Sequence, residues 1–243
     1  MQDTPETPGS GGPDPLGGTP TPPPPPPAPA PTSGTMPPIG RAKGVFERAR
    51  DILMHPAAEW PIIDREPATV GSVFVPYALI LAAIGPIAGL IGGQLFGISF
   101  GMFSWSPPLG TALVSALIGY GLSLAMVFVI ALIIDALAPS FGGTKNQVQA
   151  TKLAVYSWTA AWVAGIISLI PALGLIALIG LIYSLYLLYL GLPILMRVPA
   201  EKHAGYAVVV ILAIIVLFFI VGYIAIQITW RLLLGGMVPG IGG

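Results

Sequence analysis

Long apolar stretches separated by short polar ones make up most of the chain. Residues 67–134 contain no charged side chain, and this run can hold two membrane-spanning helices of about 20 to 25 residues each, with a connection between them. A second uncharged run covers residues 153–196 and is divided by a Pro-Ala-Leu-Gly turn, and a third covers residues 204–230. The pattern therefore predicts an all-α, polytopic transmembrane bundle of five helices. The predicted spans are residues 70–95, 111–135, 153–170, 174–195 and 204–230, within a membrane domain at 67–231.

Residues 1–40 have a different composition, rich in Pro, Gly, Thr and Ser, with an unbroken proline run at residues 22–27. They carry few apolar side chains to bury, so we expect a disordered Pro-rich tail with local polyproline II structure. The tail is either a solvated spacer or a docking segment for a proline-recognition domain. At the other end, residues 232–243 are expected to form a short flexible C-terminus.

A short amphipathic, interfacial helix is predicted between the tail and the first span, in the segment 41–66. Its apolar positions recur at helical spacing and its charged positions lie opposite them. Next to a membrane, such a helix is expected in the headgroup region with its arginines toward anionic lipid. The alternative is a helix that docks a partner. The apolar positions are Val45, Phe46, Ala49, Ile52 and Leu53, and the charged ones are Glu47, Arg48, Arg50 and Asp51.

Small residues recur at every fourth position in the first two spans. Such stripes let helix backbones approach closely, which matters because lipid provides no hydrophobic drive for helix association. The stripes either pack against another span of the same chain or form a seam between two copies. The positions are Gly85, Gly89, Gly93, Gly97 and Gly101 in the first span, and Ser115, Gly119 and Ser123 in the second.

Basic residues are distributed asymmetrically about the five predicted spans. Nine of the 10 Lys and Arg residues lie on one side, and Arg231 lies on the other. Because basic residues favour the cytoplasmic side, the N-terminus is predicted to be cytoplasmic. The nine residues are Arg41, Lys43, Arg48, Arg50, Arg65, Lys145, Lys152, Arg197 and Lys202.

Composition supports a membrane protein and excludes several other classes. The chain is 55% hydrophobic and only 8% charged, whereas about 25% of the residues in a soluble domain are charged. A formal net charge of zero gives no basis for nucleic-acid binding. The absence of cysteine excludes disulfides, thiolate metal sites and lipid attachment through sulfur. The first residues lack the features of a cleavable signal peptide, so the first span is expected to direct insertion.

The most polar stretch of the membrane domain, residues 135–162, is the strongest candidate for chemistry. Asp135 and Lys152 are predicted at the ends of the second and third spans, which a short loop with Pro and Gly connects. Ionisable groups at membrane depth are costly unless paired, and they are therefore functional candidates. The two residues either close the hairpin through an ion pair or carbonyl contacts, or belong to a ligand or proton site. Lys145 in the loop is expected to be solvated.

Further side chains are candidates for contacts with a partner or ligand. Tyr183, Tyr186 and Tyr189 recur every three residues along the fourth span, where they either line a polar path or form an aromatic belt. Tyr156 belongs to a similar aromatic cluster on the third span. The candidate contacts are Asp135, Lys145, Lys152, Tyr156, Tyr183, Tyr186, Arg197 and Lys202.

Motifs for catalysis find little support. The two histidines, His55 and His203, stand in separate segments, and the sequence has neither an HExxH motif nor a G-x-x-x-x-G-K-[ST] phosphate loop. No pair of carboxylates lies within the spans to act as acid and base. We therefore expect no catalytic residue, no cofactor and no metal site.

The polar stretch and the spans around it resemble the bacterial branch of the YIP (Ypt-interacting protein) domain family. The likeness covers about residues 43–228. It implies a five-span membrane fold in the bacterial inner membrane, and it implies no established activity. The matching segments are DALAPSFGG at 135–143, QATK at 149–152, Tyr156-Ser157, LIPALG at 169–174 and LIYSLYLLYLGLP at 181–193, with Met196, Pro199 and Lys202, and upstream LMHP at 53–56, Trp60 and Glu66-Pro67.

Two hypotheses follow for the function. The first is a non-enzymatic scaffold or membrane-organising protein, surrounded by membrane lipids, whose cytoplasmic face binds a protein or lipid partner and which can form a homo-oligomer. The second is a transporter or channel for a small solute or ion, with Asp135, Lys152 and the tyrosine face as its path. The spans carry no charge near their middle and show no obvious inverted repeat, which favours the first hypothesis.

Overall fold

The structure is a computed structural model, and it describes residues 43–100 and 103–237. It contains five helices that are long and apolar enough to cross a membrane, which confirms the predicted all-α bundle of five spans. The predicted disordered tail lies outside the described residues. We name the helices span 1 (Val70–Phe96), span 2 (Leu109–Phe141), span 3 (Gln147–Leu169), span 4 (Pro171–Met196) and span 5 (Ala200–Arg231).

Two short helices precede span 1, namely α1 (Val45–Met54) and α2 (Pro56–Arg65). Between them His55 has non-helical backbone angles, and Pro56 takes the first position of α2, where its missing N–H leaves no helical hydrogen bond unmade. α1 occupies the predicted amphipathic helix and buries Ile52. At the C-terminal side, the helix of span 5 continues to Met237, into the segment 232–243 that is predicted to be flexible.

Proline and glycine change the helical form of three spans. Span 1 contains a π-helical segment at Phe74–Ala78, which includes Pro76, a residue that cannot donate its own helical hydrogen bond. Span 3 tightens into 3-10 geometry at Gly165–Leu169, and span 4 begins with another tight segment at Pro171–Ile176. Spans 3 and 4 therefore form a hairpin with almost no loop between them.

The loops after spans 2 and 4 are shaped by two residues with left-handed backbone angles and are tied to each other. Gly142 (φ 74°) follows the 3-10 turn that ends span 2, and Arg197 (φ 54°) ends span 4. Glycine adopts this conformation freely, whereas for arginine it is uncommon. The backbone N–H of Thr144 donates to the carbonyl oxygen of Met196 over 2.8 Å. This hydrogen bond holds the two loops side by side.

Spans 1 and 2 are connected by a small β-hairpin. Strand β1 (Ile98–Phe100) pairs antiparallel with β2 (Phe103–Trp105), and Ile98 lies opposite Trp105. Gly97, with φ 69°, ends the helix of span 1 just before β1. The sequence predicts a break between the two spans at this place but does not predict strands.

The core of the bundle lies at one end, where span 2 ends and span 3 begins. In span 2 the buried residues fall within 126–138, and in span 5 they fall within 206–214. Every residue of span 3 from 150 to 160 is buried. We call this end the basic end. α1, α2 and the loops after spans 2 and 4 meet there, and together they carry most of the described Lys and Arg residues.

Spans 1 and 3 lie in close backbone contact through glycine. A Cβ atom added to Gly85 would lie 3.7 Å from the Cα of Gly165. At Gly92 an added Cβ would lie only 2.3 Å from the carbonyl oxygen of Leu169, so no larger residue fits without moving a helix. Gly92 is not part of the predicted stripe, although it makes the tightest contact of span 1 with span 3.

The rest of the predicted glycine stripe behaves differently from Gly85. A Cβ on Gly89 would meet Ser168 at an ordinary distance of 3.8 Å, whereas a Cβ on Gly93 or Gly119 would have no atom within 4 Å. Packing within the chain therefore explains the first glycines of the stripe. Gly93 and Gly119 border open space.

Candidate functional site

Helices α1 and α2 pack against spans 3 and 4. Trp60 of α2 is fully buried, and its indole lies so close to Gly191 of span 4 that a Cβ at Gly191 would be 2.7 Å from the ring. The hydroxyl of Tyr183 donates a hydrogen bond of 2.7 Å to the carbonyl oxygen of Leu53. The last turn of α1 is thus attached to the middle of span 4.

Several charged side chains are enclosed between α1, α2 and the start of span 1. Arg48 pairs with both Glu59 and Glu66, and Lys43 Nζ lies 2.9 Å from a carboxylate oxygen of Glu59 and 2.7 Å from one of Asp51. The side chains of Arg48 and Glu59 are each 4% exposed. Buried charges are costly unless they are paired, and each of these has a partner. We call these five residues the charge cluster.

Arg48 does not face lipid, which corrects the expectation for the arginines of α1. Its guanidinium turns inward because the two glutamates provide partners there, and it lies 5.7 Å from the centre of the Tyr156 ring, within cation–π distance. Arg50, on the same helix, is exposed. Only Arg50 of the two therefore remains available to lipid headgroups.

Pairing shifts the pKa values of two groups at the edge of the charge cluster. The hydrogen bond from Lys43 lowers the pKa of Asp51 below its ordinary value, so the stabilisation from this pair is present above the ordinary carboxyl pKa and is lost as the pH falls. Burial lowers the pKa of Lys43, but the bonds to Asp51 and Glu59 outweigh it and raise that pKa overall. The contribution of Lys43 is therefore lost only at high pH, as the pH rises through its raised pKa.

Lys152 holds the end of α2 against span 3. It is 2% exposed, and its Nζ donates to the carbonyl oxygens of Ile63 at 2.8 Å and Glu66 at 2.6 Å. These carbonyls lie at the C-terminal end of α2, where the helix dipole favours a cation. Lys152 thus makes carbonyl contacts, as one alternative proposed, but they fasten α2 and do not close the loop between spans 2 and 3. The structure records no bond between Lys152 and Asp135.

Asp135 is buried near the end of span 2 without a counter-charge among the described residues. It is 5% exposed, and its Oδ1 has no hydrogen-bond partner in that part of the chain. The neighbouring Tyr206 donates its hydroxyl to the carbonyl oxygen of Ile134 and stacks on Phe141 with 5.1 Å between ring centres. Asp135 and Lys152 therefore occupy separate environments at the same end of the bundle.

Five basic side chains at the basic end are exposed, namely Arg50, Arg65, Lys145, Arg197 and Lys202, and the last three belong to or adjoin the loops after spans 2 and 4. The backbone hydrogen bond between their loops places Lys145 near Arg197, and a Cβ added to Gly142 would lie 3.9 Å from the Nζ of Lys202. The side chain of Arg197 is 68% exposed and lies 3.9 Å from Asp64, so this pair is weak. We call Lys145, Arg197 and Lys202 the basic patch.

The candidate tyrosines lie in two separate places. Tyr156 is almost buried and meets Tyr77 edge to face, with 4.8 Å between the ring centres. The rings of Tyr183 and Tyr186 are 5.6 Å apart, and Tyr186 is 48% exposed. Tyr156 packs beside the charge cluster, Tyr183 is half-buried under the last turn of α1, and Tyr186 is exposed on span 4. Tyr189, the third tyrosine of the predicted face, is 41% exposed and stacks on His203.

The charge cluster is the main feature that the sequence-based predictions missed. Those predictions place Arg48 toward lipid, give Glu59 no role, and name Glu66 only among the residues that match the family. The sequence contains a signal for the pairing, since the two glutamates stand about two helical turns apart in a segment that directly follows a helix with two arginines.

One sequence match to a catalytic motif lacks the geometry of that motif. Residues 97–101 spell GISFG, which fits the G-x-S-x-G pattern of a nucleophile elbow. In an elbow the serine occupies a sharp turn between a strand and a helix, whereas Ser99 lies within β1, opposite Ser104. Within residues 43–100 and 103–237, no group of three or more His, Asp or Glu residues is placed to hold a metal ion.

Comparison with known proteins identifies one family and two relatives that share a name. The Yip1 domain matches the chain over residues 50–222. Inner membrane protein YohC of Escherichia coli strain K12 and the protein of the same name from strain CFT073 are each 30% identical over 125 residues, which is 49% of this chain and 62% of each relative. The chain thus matches less than two thirds of the length of these relatives. No solved structure matches the chain.

Proposed function

Because the chain belongs to the Yip1 domain family, we propose that it is a non-enzymatic, membrane-organising protein whose basic end binds an anionic partner. The partner is an anionic lipid headgroup or an acidic protein surface, which share the chemistry that the basic patch recognises. The relatives named inner membrane protein YohC support a place in a bacterial inner membrane, with five apolar helices in contact with lipid.

The observation that carries this proposal is the division of the basic residues between internal and external roles. Arg48 and Lys152 are buried and bound to groups of the chain itself. Lys145, Arg197 and Lys202 are exposed. Lys145 and Arg197 lie in two loops that a backbone hydrogen bond links, and Lys202 lies in the first turn of span 5. Exposed cations beside a membrane attract anionic groups by about 1 kcal/mol each, so three of them together form a useful site.

The distribution of Lys and Arg along the chain supports binding on the cytoplasmic side. Nine of the 10 Lys and Arg residues belong to segments on one side of the five spans, and the positive-inside tendency assigns that side to the cytoplasm. We therefore propose that the N-terminus and the basic patch are both cytoplasmic.

Transport is less well supported by the geometry. A path for an ion or polar solute needs polar groups that line a continuous space near the middle of the membrane. Asp135 and Lys152 are buried in separate environments, and four cavities in the part of the chain that the structure describes have no charged residue in their lining. We propose no solute or ion pathway on this basis.

The test is to replace the three residues of the basic patch by glutamine and to measure binding in two ways. Cross-linking in intact cells followed by mass spectrometry reports protein partners. Retention of phosphatidylglycerol by the purified full chain, measured by native mass spectrometry, reports an anionic lipid. We expect the triple variant to lose one of the two signals.

A matched control is Arg231→Gln, which removes an exposed charge at the opposite end of the bundle. It should leave both signals unchanged. If the triple variant folds normally, as judged by gel filtration and thermal unfolding, and still keeps every protein partner and the bound phosphatidylglycerol, the proposal is wrong. Loss of a protein partner alone identifies an acidic protein surface, and loss of phosphatidylglycerol alone identifies a lipid headgroup.

A further inference from the structure

The half of the bundle away from the basic end is loosely packed. No residue of span 2 between 109 and 125 is buried, and no residue of span 5 between 215 and 231 is buried. At the basic end, in contrast, an unbroken stretch of span 3 is buried. Spans 2 and 5 are therefore loosely packed away from the basic end, whereas spans 1 and 3 stay in contact there through Gly92 and Leu169.

Two adjoining cavities lie between spans 1 and 2 in this half. Their volumes are about 320 and 290 Å³, which is in the range of ligand sites, about 300 to 1,000 Å³. Both are lined by Pro86, Leu90 and Ala116, so they form one continuous groove. We call this space the span 1–2 groove.

Small residues create the groove and do not serve close helix contact there. Gly93 and Gly119 both line it, and a Cβ on either would meet no atom within 4 Å. Gly92, the immediate neighbour of Gly93, has no such space because it faces Leu169. Span 1 thus packs tightly against span 3 at Gly92 and leaves an open space beside Gly93.

The polar residues in the lining are partly turned toward the backbone. Gln94 Nε2 donates to the carbonyl oxygen of Pro107 over 3.0 Å, and Thr229 Oγ1 donates to that of Ala225 over 2.9 Å. Tyr120 lines the groove as well, and its hydroxyl donates to the carbonyl oxygen of Leu79 over 3.0 Å. The groove contains no charged residue and presents mostly carbon.

We propose that the span 1–2 groove binds one acyl chain of a two-chain membrane lipid. The groove is continuous with the lipid-facing surface, because Ile87 (55% exposed) and Leu117 (68% exposed) line its opening. An uncharged, carbon-lined space within a membrane matches hydrocarbon and offers too few polar partners for water. An occupied groove also restores the dispersion contacts that a void lacks. This site is independent of the basic patch, which lies at the other end of the spans.

The first experiment fills the groove and measures retained lipid. Gly93→Leu places a side chain in the groove, whereas Gly121→Leu is the matched control, since Gly121 is exposed and its Cβ also meets nothing within 4 Å. Native mass spectrometry of the purified full chain, after washing and titration with phosphatidylethanolamine, should show a retained lipid adduct. We expect at least a threefold loss of that adduct in Gly93→Leu and no change in Gly121→Leu.

The second experiment uses the unaltered protein, so that it does not depend on the folding of a variant. Phosphatidylethanolamine with a diazirine in the middle of one acyl chain is incorporated into vesicles with the protein and irradiated. Labelling concentrated on the peptides that contain Leu90, Gly93 and Ala116 supports the proposal. Labelling spread evenly over all lipid-facing spans, or absent from these peptides, would overturn it, as would equal adducts in the two leucine variants.

Discussion

At the scale of single residues, the few charges of this protein have different roles according to their burial. Arg48, Glu59 and Lys152 are almost inaccessible and are bound to partners within the chain, whereas Lys145 and Arg197 are exposed. A buried pair need not add stability relative to apolar residues, but removal of one member leaves a costly charge behind. Substitutions of the two groups should therefore differ in kind.

The first prediction concerns the arginines of α1. Arg48→Met removes the partner of Glu59 and Glu66 and should lower the free energy of unfolding by about 3 kcal/mol. Arg50→Met, on the same helix but exposed, should change it by less than about 0.5 kcal/mol. Unfolding in detergent followed by circular dichroism measures both. Equal stability of the two variants would show that the charge cluster does not hold α1 and α2.

The second prediction concerns the lysines at the start of span 3. Lys152→Met leaves the carbonyls of Ile63 and Glu66 without their donor, and loss of such buried hydrogen bonds costs about 1 to 3 kcal/mol. Limited proteolysis should then cut α2 faster than in the unaltered protein. Lys145→Met, in the exposed loop, should keep the original rate, and an unchanged rate in Lys152→Met would contradict the role assigned to its amine.

The candidate residues could be identified from sequence more readily than their contacts. Asp135 and Lys152 stand out because charges are rare in this membrane domain, and both are indeed buried. Their partners could not be predicted, since α2 returns to span 3 only through tertiary packing. The pairing of Arg48 with Glu59 escaped notice for a similar reason, because an amphipathic helix beside a membrane has lipid as its simplest partner.

At the scale of helices, neighbouring glycines in span 1 have opposite surroundings. Gly92 lies against the backbone of span 3, and Gly93 faces the span 1–2 groove. The i, i+4 spacing of small residues predicted a packing stripe but could not tell which side of it would be filled. The existence of the five helices was predictable from the uncharged runs, whereas the π-helical segment Phe74–Ala78 depends on how Pro76 is accommodated.

The third prediction compares alanine at these two glycines. Gly92→Ala would bring a methyl group within 2.3 Å of the carbonyl oxygen of Leu169, so spans 1 and 3 must separate, at a cost of about 1 to 3 kcal/mol. Gly93→Ala meets nothing and should leave stability unchanged or raise it by up to about 1 kcal/mol, because alanine favours a helix over glycine. Thermal unfolding of the two variants in the same detergent measures the difference. A Gly92→Ala protein as stable as Gly93→Ala would exclude the close approach of these spans.

At the scale of the whole molecule, an odd number of spans places the two ends on opposite sides of the membrane. The distribution of Lys and Arg predicts an orientation from sequence, which the labelling experiment below tests, whereas it does not predict the two-part packing of the bundle. A core at the basic end and a loose far half result from side-chain fit, which the pattern of apolar positions does not encode.

The fourth prediction concerns orientation. The natural chain has no cysteine, so Lys145→Cys and Arg231→Cys each provide a single label site without further changes. In intact spheroplasts, a membrane-impermeant maleimide should react with the cysteine at 231 and reach the one at 145 only after the membrane is permeabilised. The reverse labelling pattern would invert the proposed topology and move the basic patch outside the cell.

The hydrogen bond between Tyr183 and Leu53 can form only late in the synthesis of the chain. The two residues are 130 positions apart, and a ribosome that adds about 5 to 20 residues per second needs roughly 6 to 26 seconds to make the second after the first. During this interval α1 and α2 have left the ribosome, but their docking surface on spans 3 and 4 does not yet exist. A nascent chain that stalls before span 4 therefore carries an undocked charged segment.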